Sequence, residues 1–223
     1  MYIGRIMHTD LITVPPEATL VEASELIKTK KIDHLLVVDS KKKLAGIISD
    51  RDLKQYWASP ATSLSTHELN YLLEKVTVSM IMIKAVVTVP VDTTIERAAF
   101  IMQQNRISAL PAMETGELAG IITSSDVMDV LLKAIGINED STRLSVFVND
   151  SIGKLSEVTN TLDVSRVNIQ SLFCWPEKDY PGVTQIIFRV AKKDEEASIK
   201  SLRAIGLKVK TQYEKDITQF LPE

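Results

Sequence analysis

GIISDRDL, residues 46–53, recurs as GIITSSDV at residues 120–127. A motif that a reaction needs once does not need a copy, whereas a motif that builds half of a two-fold site does. The repeat is wider than this sentence. IMHTDLITVP at 6–15 aligns with IMIKAVVTVP at 81–90, so that Ile6, Met7, Thr13, Val14 and Pro15 recur 75 residues later as Ile81, Met82, Thr88, Val89 and Pro90. Ile32 and Leu35 recur at the same offset as Ile107 and Leu110. From Gly46 to Gly120 the offset is 74, so one residue has been lost between, where the first copy reads DSKKK and the second ETGE. A one-residue indel belongs in an exposed turn, and two copies in register mean a duplicated module.

Each copy reads as strand, helix, strand, strand, helix. ITVP and VTVP are short β-branched stretches that end at proline. Leu20, Ala23 and Ile27 share one helical face in the first copy, as do Ile95, Ala98, Ala99 and Met102 in the second. Thr19 followed three residues later by Glu22 predicts a capping box. HLLVVD and LAGIIS, then ALPAME and LAGIIT, predict two strand pairs across the turns. A helix follows each one, as DRDLKQYW or SSDVMDVLLKAI. Between the copies, Ser65 with Glu68 and the apolar face of Leu69, Leu72 and Leu73 predict a linker helix packed on the pair.

The period changes after Gly136. TRLSVFV (142–148) alternates as a half-buried strand, and Ile152, Leu155, Val158, Thr159 and Leu162 follow at helical spacing. NIQSLFCWP, VTQIIFRV and LKVKTQY read as three further strands, with a helix over DEEASIKSLRAIG that stops at Gly206. The order β-α-β-β-α-β is the split-βαβ, ferredoxin-like pattern.

Composition narrows the function. The chain has 223 residues with a net charge of −3, so no broad basic field is available for nucleic acid or anionic lipid. No run reaches the ~18 apolar residues of a membrane helix, and MYIGRIMHTD has no apolar core resembling a signal peptide, so a cytoplasmic protein is expected. Cys174 is the single cysteine and His8, His34 and His67 are scattered, which predicts neither an internal disulfide nor a metal site. Cys174 reads as a small buried residue. There is no Gly-x-Ser-x-Gly, no phosphate-binding Walker-type loop and no nucleophile with an oriented base, so catalysis is not expected.

The chemistry of the repeated sentence allows two readings. In Ser49-x-x-Asp52 and Thr123-x-x-Asp126 the hydroxyl and carboxylate can simply form a capping box. The same geometry offers a helix N-terminus to a phosphate, with an aspartate a turn away to accept hydrogen bonds from ribose hydroxyls. Gly46 and Gly120 let backbone approach closely. Arg51 precedes Asp52 whereas Ser125 precedes Asp126, so a guanidinium is available to the first motif alone; Arg106 or Lys84 is a candidate to compensate the second.

Glycine, two apolar residues, Ser or Thr, any two residues and then Asp, twice, with Thr-Val-Pro openings, resembles a pair of CBS modules over roughly residues 1–136. The resemblance implies an adenosyl ligand, with Asp52 and Asp126 on ribose, Ser49 and Thr123 toward phosphate, and Thr13, Val14, Thr88, Val89 and the stretches around His34 and Ala109 lining the base. VNDSIGKLSEVTNTL followed by VNIQSL resembles an ACT domain. CBS–CBS–ACT order is similar to acetoin-utilisation proteins of the AcuB type. ACT domains hold an amino acid at an Asp-x-Pro-Gly turn; Asp150, Ile152 and Gly153 occupy it here without the proline, and Asn168 corresponds to the polar residue of the second strand. The departure leaves open whether this part binds a ligand or only builds a dimer.

The expectation is therefore an α/β (α+β) chain: CBS module 1 at 1–59, a helical linker at 60–77, CBS module 2 at 78–137 packed as a pseudo-symmetric pair with the first, a ferredoxin-like ACT domain at 141–215 and a tail at 216–223. It would be a non-catalytic, homodimeric regulator that requires no cofactor. Its regulatory ligand would be an adenine nucleotide (AMP, ADP or ATP) or a related adenosyl compound, and its output would pass to an unidentified partner protein. Nucleic acid and membrane are not expected as partners, and a scaffold with vestigial clefts is the alternative.

Overall fold

The computed structural model describes residues 1–56 and 75–222; the expected linker helix, with Ser65, Glu68, Leu69, Leu72 and Leu73, lies outside them. The first copy contains β1 (Thr13–Val14), α1 (Leu20–Lys30), β2 (His34–Val38), β3 (Leu44–Ser49) and α2 (Asp50–Tyr56). The second contains a one-turn helix α3 (Val78–Ile81), β4 (Val89–Pro90), α4 (Ile95–Asn105), β5 (Ala109–Glu114), β6 (Glu117–Thr123) and α5 (Ser124–Ile135). The capping box expected at Thr19 is present: the Glu22 N–H donates to the Thr19 hydroxyl at 3.2 Å and the Thr19 N–H to Glu22 Oε2 at 2.7 Å. Thr94 caps α4 in the same manner, accepting from the Arg97 N–H at 3.2 Å. Both helices end on a left-handed residue, Lys31 and Arg106.

Each copy forms a three-stranded sheet, with β1 parallel to β2 and β2 antiparallel to β3, then β4 parallel to β5 and β5 antiparallel to β6. The registers correspond: His34 faces Ser49 and Val37 faces Gly46, as Ala109 faces Thr123 and Ala112 faces Gly120. The single-residue indel falls in the turns between these strands.

The two copies exchange their opening segments. The Ile3 N–H donates to Thr93 O at 2.9 Å, and its equivalent, the Val78 N–H, donates to Ala18 O at 2.8 Å. Gly4 to Val91 O is matched by Ser79 to Pro16 O, and Ile95 to Met1 O by Leu20 to Val76 O. Further along, His8 and Ile121 bond each other through N–H and carbonyl at 2.9 and 3.0 Å, as Ile83 and Ile47 do at 2.9 and 3.1 Å. The exchange is also hydrophobic. The core of the first copy, built on Leu20, Ala23, Leu35, Ile48 and Leu53, includes Val78 and packs against Ile81 and Met82. A second cluster joins Leu36 and Ile47 to Ala109, with Val86, Leu118 and Ile121 against it.

The chain divides into two compact units, Met1–Met128 and Asp129–Glu223. The second contains β7 (Ser141–Asn149), α6 (Lys154–Val164), β8 (Ile169–Pro176), β9 (Val183–Ala191), α7 (Glu195–Ala204) and β10 (Val209–Lys210). This is the β-α-β-β-α-β order read from the sequence, in one antiparallel sheet of order β10-β7-β9-β8. Leu144, Val146, Val148, Ile186, Phe188 and Val190 turn one sheet face onto Val158 and Leu162 of α6 and Leu202 of α7. Ile152, expected on the buried stripe of the helix, precedes α6 and is fully exposed. Cys174 is exposed rather than buried, because it sits near the end of edge strand β8, where Trp175 and Pro176 are exposed as well. Among the described residues no helix is long and apolar enough to cross a membrane.

Candidate functional site

The repeated motifs form the same local structure twice. The Ser49 hydroxyl and N–H both donate to Asp52 Oδ2, at 2.6 and 2.8 Å, and the Asp52 N–H donates back to Ser49 Oγ at 3.2 Å. In the second copy the Thr123 hydroxyl and N–H both donate to Asp126 Oδ2 at 2.7 Å, and the Asp126 N–H returns to Thr123 Oγ1 at 3.3 Å. Both motifs are thus complete capping boxes that join a strand to a helix. Each uses one carboxylate oxygen and leaves the other to the surroundings.

Those surroundings come from the opposite copy. A cleft of about 700 Å³ lies at the Asp52 motif. Ser49, Arg51 and Asp52 border it from the first copy, Ile83, Ala85 to Val87 and Arg106 to Ala109 from the second, and Thr123 to Ser125 close it at the start of α5. Ile47, Ile83, Val86, Val87 and Ile107 give it an apolar wall. The volume lies inside the ~300–1,000 Å³ of small-molecule sites, and an apolar wall with a few convergent polar groups is their usual construction. The Lys54 ammonium is paired with Asp50. Among the described residues neither Arg51 nor Arg106 forms a salt bridge, and Asp52 Oδ1 makes no hydrogen bond.

His34 borders the same cleft and meets Ser108 Oγ through Nε2 at 3.0 Å, while its buried Nδ1 has no partner among the described residues. Burial holds the His34 imidazole below its ordinary pKa, against the opposing pull of Asp33 and Asp52. At Asp126 burial raises the pKa, but hydrogen bonds from Thr123 and His8 outweigh it and keep the carboxyl below the ordinary aspartate value.

Several expected residues stand elsewhere. Thr13, Val14, Thr88 and Val89 do not border the cleft, and Val14 and Val89 are core residues. The residues before β4, Ala85 to Val87, take their place, because the exchange brings each opening segment to the other copy's motif. Arg106 borders this cleft together with Thr123 to Ser125 of the second motif. The glycines admit protein, not ligand. A Cβ on Gly46 would lie 2.9 Å from Met82 Cγ and 3.1 Å from Ile83 O; on Gly120 it would lie 2.8 Å from Met7 Cγ and 3.0 Å from His8 O. The Met7–Met82 pair of the repeat is thus the partner of the Gly46–Gly120 pair. Sequence reasoning passed over Ile83, Ala85 to Val87, Ser108 and His8. Their signal was the repeat itself, since His8 and Ile83 are equivalent positions holding unlike residues.

In the second unit, Asp150, Ile152, Gly153 and Asn168 are all exposed. Gly153 adopts φ 94°, a left-handed conformation that favours glycine, directly before α6. A separate cavity of about 280 Å³ is bordered by Asn149, Lys154, Glu157 and the turn from Ile205 to Lys208. Among the described residues no three His, Cys, Asp or Glu side chains converge to hold a metal ion.

Two small α/β modules that exchange segments around a ligand-sized cleft, with a capped Ser/Thr-x-x-Asp helix start in each, define a tandem module pair. The CBS domain model matches residues 3–59 and 78–133, and the chain belongs to the CBS domain family. A CBS domain-containing protein of Dictyostelium discoideum is 31% identical over 134 residues, 60% of this chain and 92% of that protein. The inosine-5'-monophosphate dehydrogenase of Thermoplasma acidophilum is 32% identical over 124 residues, 55% of this chain but 22% of the enzyme. The crystal structure of an acetoin utilization protein (AcuB) from Vibrio cholerae superposes with a TM-score of 0.50 at 28% identity, covering 60% of this chain and 91% of that one.

Proposed function

We propose that the chain is a non-catalytic regulatory protein that senses an adenine nucleotide or related adenosyl compound in the Asp52 cleft. The observation that carries this reading is the bonding of Asp52, whose Oδ2 caps α2 while Oδ1, without a hydrogen bond among the described residues, can accept from ribose hydroxyls. Arg51 supplies a guanidinium for phosphate at the same helix start. The apolar wall of Ile83, Val86 and Val87 suits a base, with His34, Ala109, Thr123 and Ser125 at the rim. The enzyme among the relatives carries the matching segment as a minor part of a longer chain, which suits an accessory module.

The domain layout belongs to the same proposal: two CBS modules at 1–59 and 78–137, joined through 60–77, and a ferredoxin-like ACT domain at 141–215. The antiparallel order of the second unit and the left-handed Gly153 support the ACT reading. Asp150, Ile152, Gly153 and Asn168 are its candidate ligand residues. The exposed apolar face of α5, with Met128, Leu131 and Leu132, supports a homodimer. The structural likeness to AcuB makes an acetoin-utilisation setting the first to examine, with a regulated partner protein receiving the signal. A ligand acts only by binding one arrangement of the chain better than another.

Calorimetric titration with AMP, ADP, ATP and S-adenosylmethionine tests the reading. At least one compound gives a binding isotherm whose tighter event disappears in Asp52→Ala. Both capping boxes are complete without any ligand, which also suits a scaffold with vestigial clefts. No heat and no thermal shift with all four compounds would establish that alternative.

A further inference from the structure

The two repeated motifs are unequal for a reason that lies outside the repeated sentence. Asp126 Oδ1, the equivalent of the uncommitted oxygen of Asp52, is held by His8 Nε2 at 2.9 Å. The position equivalent to His8 in the second copy is Ile83, which has no polar atom to offer Asp52. The exchange of opening segments makes this possible, because the backbone pairing of His8 with Ile121 sets the imidazole beside the Asp126 carboxylate, 118 residues along the chain. The cationic groups differ in the same sense: Arg51 corresponds to Ser125.

We infer that His8 is a specificity-determining residue that withholds Asp126 from ligand, so that the chain works as a sensor with one favoured cleft. This rests on the nucleotide reading given above. A ligand that bonds its ribose to Asp126 must displace the imidazole from the carboxylate, whereas among the described residues no side chain holds Asp52 Oδ1 in this way. His8 is 62% and Asp126 20% exposed, so the pair is a solvated one and its displacement weakens binding by only a few-fold. The latch lowers affinity without sealing the cleft.

The test isolates the second cleft. In Asp52→Ala the residual affinity for AMP is that of the Asp126 cleft. Adding His8→Ile, the residue found at the equivalent position, tightens it roughly two- to five-fold, and adding Asp126→Ala instead removes it. Residual affinity unchanged by His8→Ile overturns the latch. A second measurement needs no ligand: in the full chain, the ¹⁵N shift of His8 Nε2 moves in Asp126→Asn while the His34 signals stay in place. No movement of His8 would show that the pair does not form and would also overturn the inference. If His8 moves but AMP binds to none of the variants, the pair stands while the nucleotide reading falls, and the role assigned to the latch falls with it.

Discussion

Gly46 and Gly120 do not owe their place to backbone conformation, since neither has a positive φ. Each lies under a methionine from the opposite copy, and any side chain there must push Met82 or Met7 aside. Gly46→Ala therefore costs about 1–3 kcal/mol, the usual penalty for overpacking a filled site. Chemical denaturation reads the loss, and Met82→Ala in the same chain recovers part of it, a coupling expected only of residues in contact. His34 illustrates the opposite case, a polar group tolerated inside. Its folded pKa is lowered by burial, so the unfolded state binds protons more readily and stability rises with pH. The contribution is fully present above about 6.5, the ordinary histidine value, and is lost as pH falls through the lower folded value. Melting temperatures between pH 8 and pH 5 should therefore decline more in the native chain than in His34→Ala. At pH 8 that variant should be less stable than the native chain by about 0.5–1.5 kcal/mol, because it loses the bond between Nε2 and Ser108 Oγ.

At the scale of elements, α5 is the least settled helix. It has an apolar stripe yet none of its residues is buried, and Met128, Leu131 and Leu132 lie 43–52% exposed. A contiguous apolar face of this kind is what the proposed homodimer would cover. Leu131→Glu is expected to convert a dimer to a monomer in light scattering after size exclusion, with its circular dichroism unchanged. Unchanged mass would place the dimer contact elsewhere. The elements themselves were legible because the sequence wrote them twice: the Thr19–Glu22 box, the alternating strands and the one-residue indel are local signals. Local signals do not say which copy an opening segment joins. IMHTDLITVP and IMIKAVVTVP carry the same pattern, so pairing within a copy and pairing across copies look alike in the sequence and differ only in the folded chain. That is why Thr13 and Val14 were expected at the cleft, where Ala85 to Val87 stand instead. Cys174 was misplaced for another non-local reason: alternation on an edge strand identifies a face but not how far the helices extend over it.

The whole first unit depends on that exchange. Ile3 and Val78 are both completely buried, and each is buried against the other copy. A fragment ending before Val78 keeps every strand and helix of the first copy, yet loses Val78, Ile81 and Met82 from its core and leaves the Pro16 and Ala18 carbonyls without their N–H partners. Its own Ile3 and Met7 are left with nothing to enter. Deleting one buried aliphatic side chain down to alanine already costs about 2–5 kcal/mol, and a small domain has only about 5–15 kcal/mol in total. The fragment should therefore show no cooperative unfolding transition as a monomer, and little amide protection against hydrogen exchange. Its remaining route to folding is to pair with another copy of itself, each lending its opening segment, and the transition would then depend on concentration. A fragment that folds as a protected monomer would mean that the exchange is dispensable, and that the two modules are joined by convenience rather than by their cores.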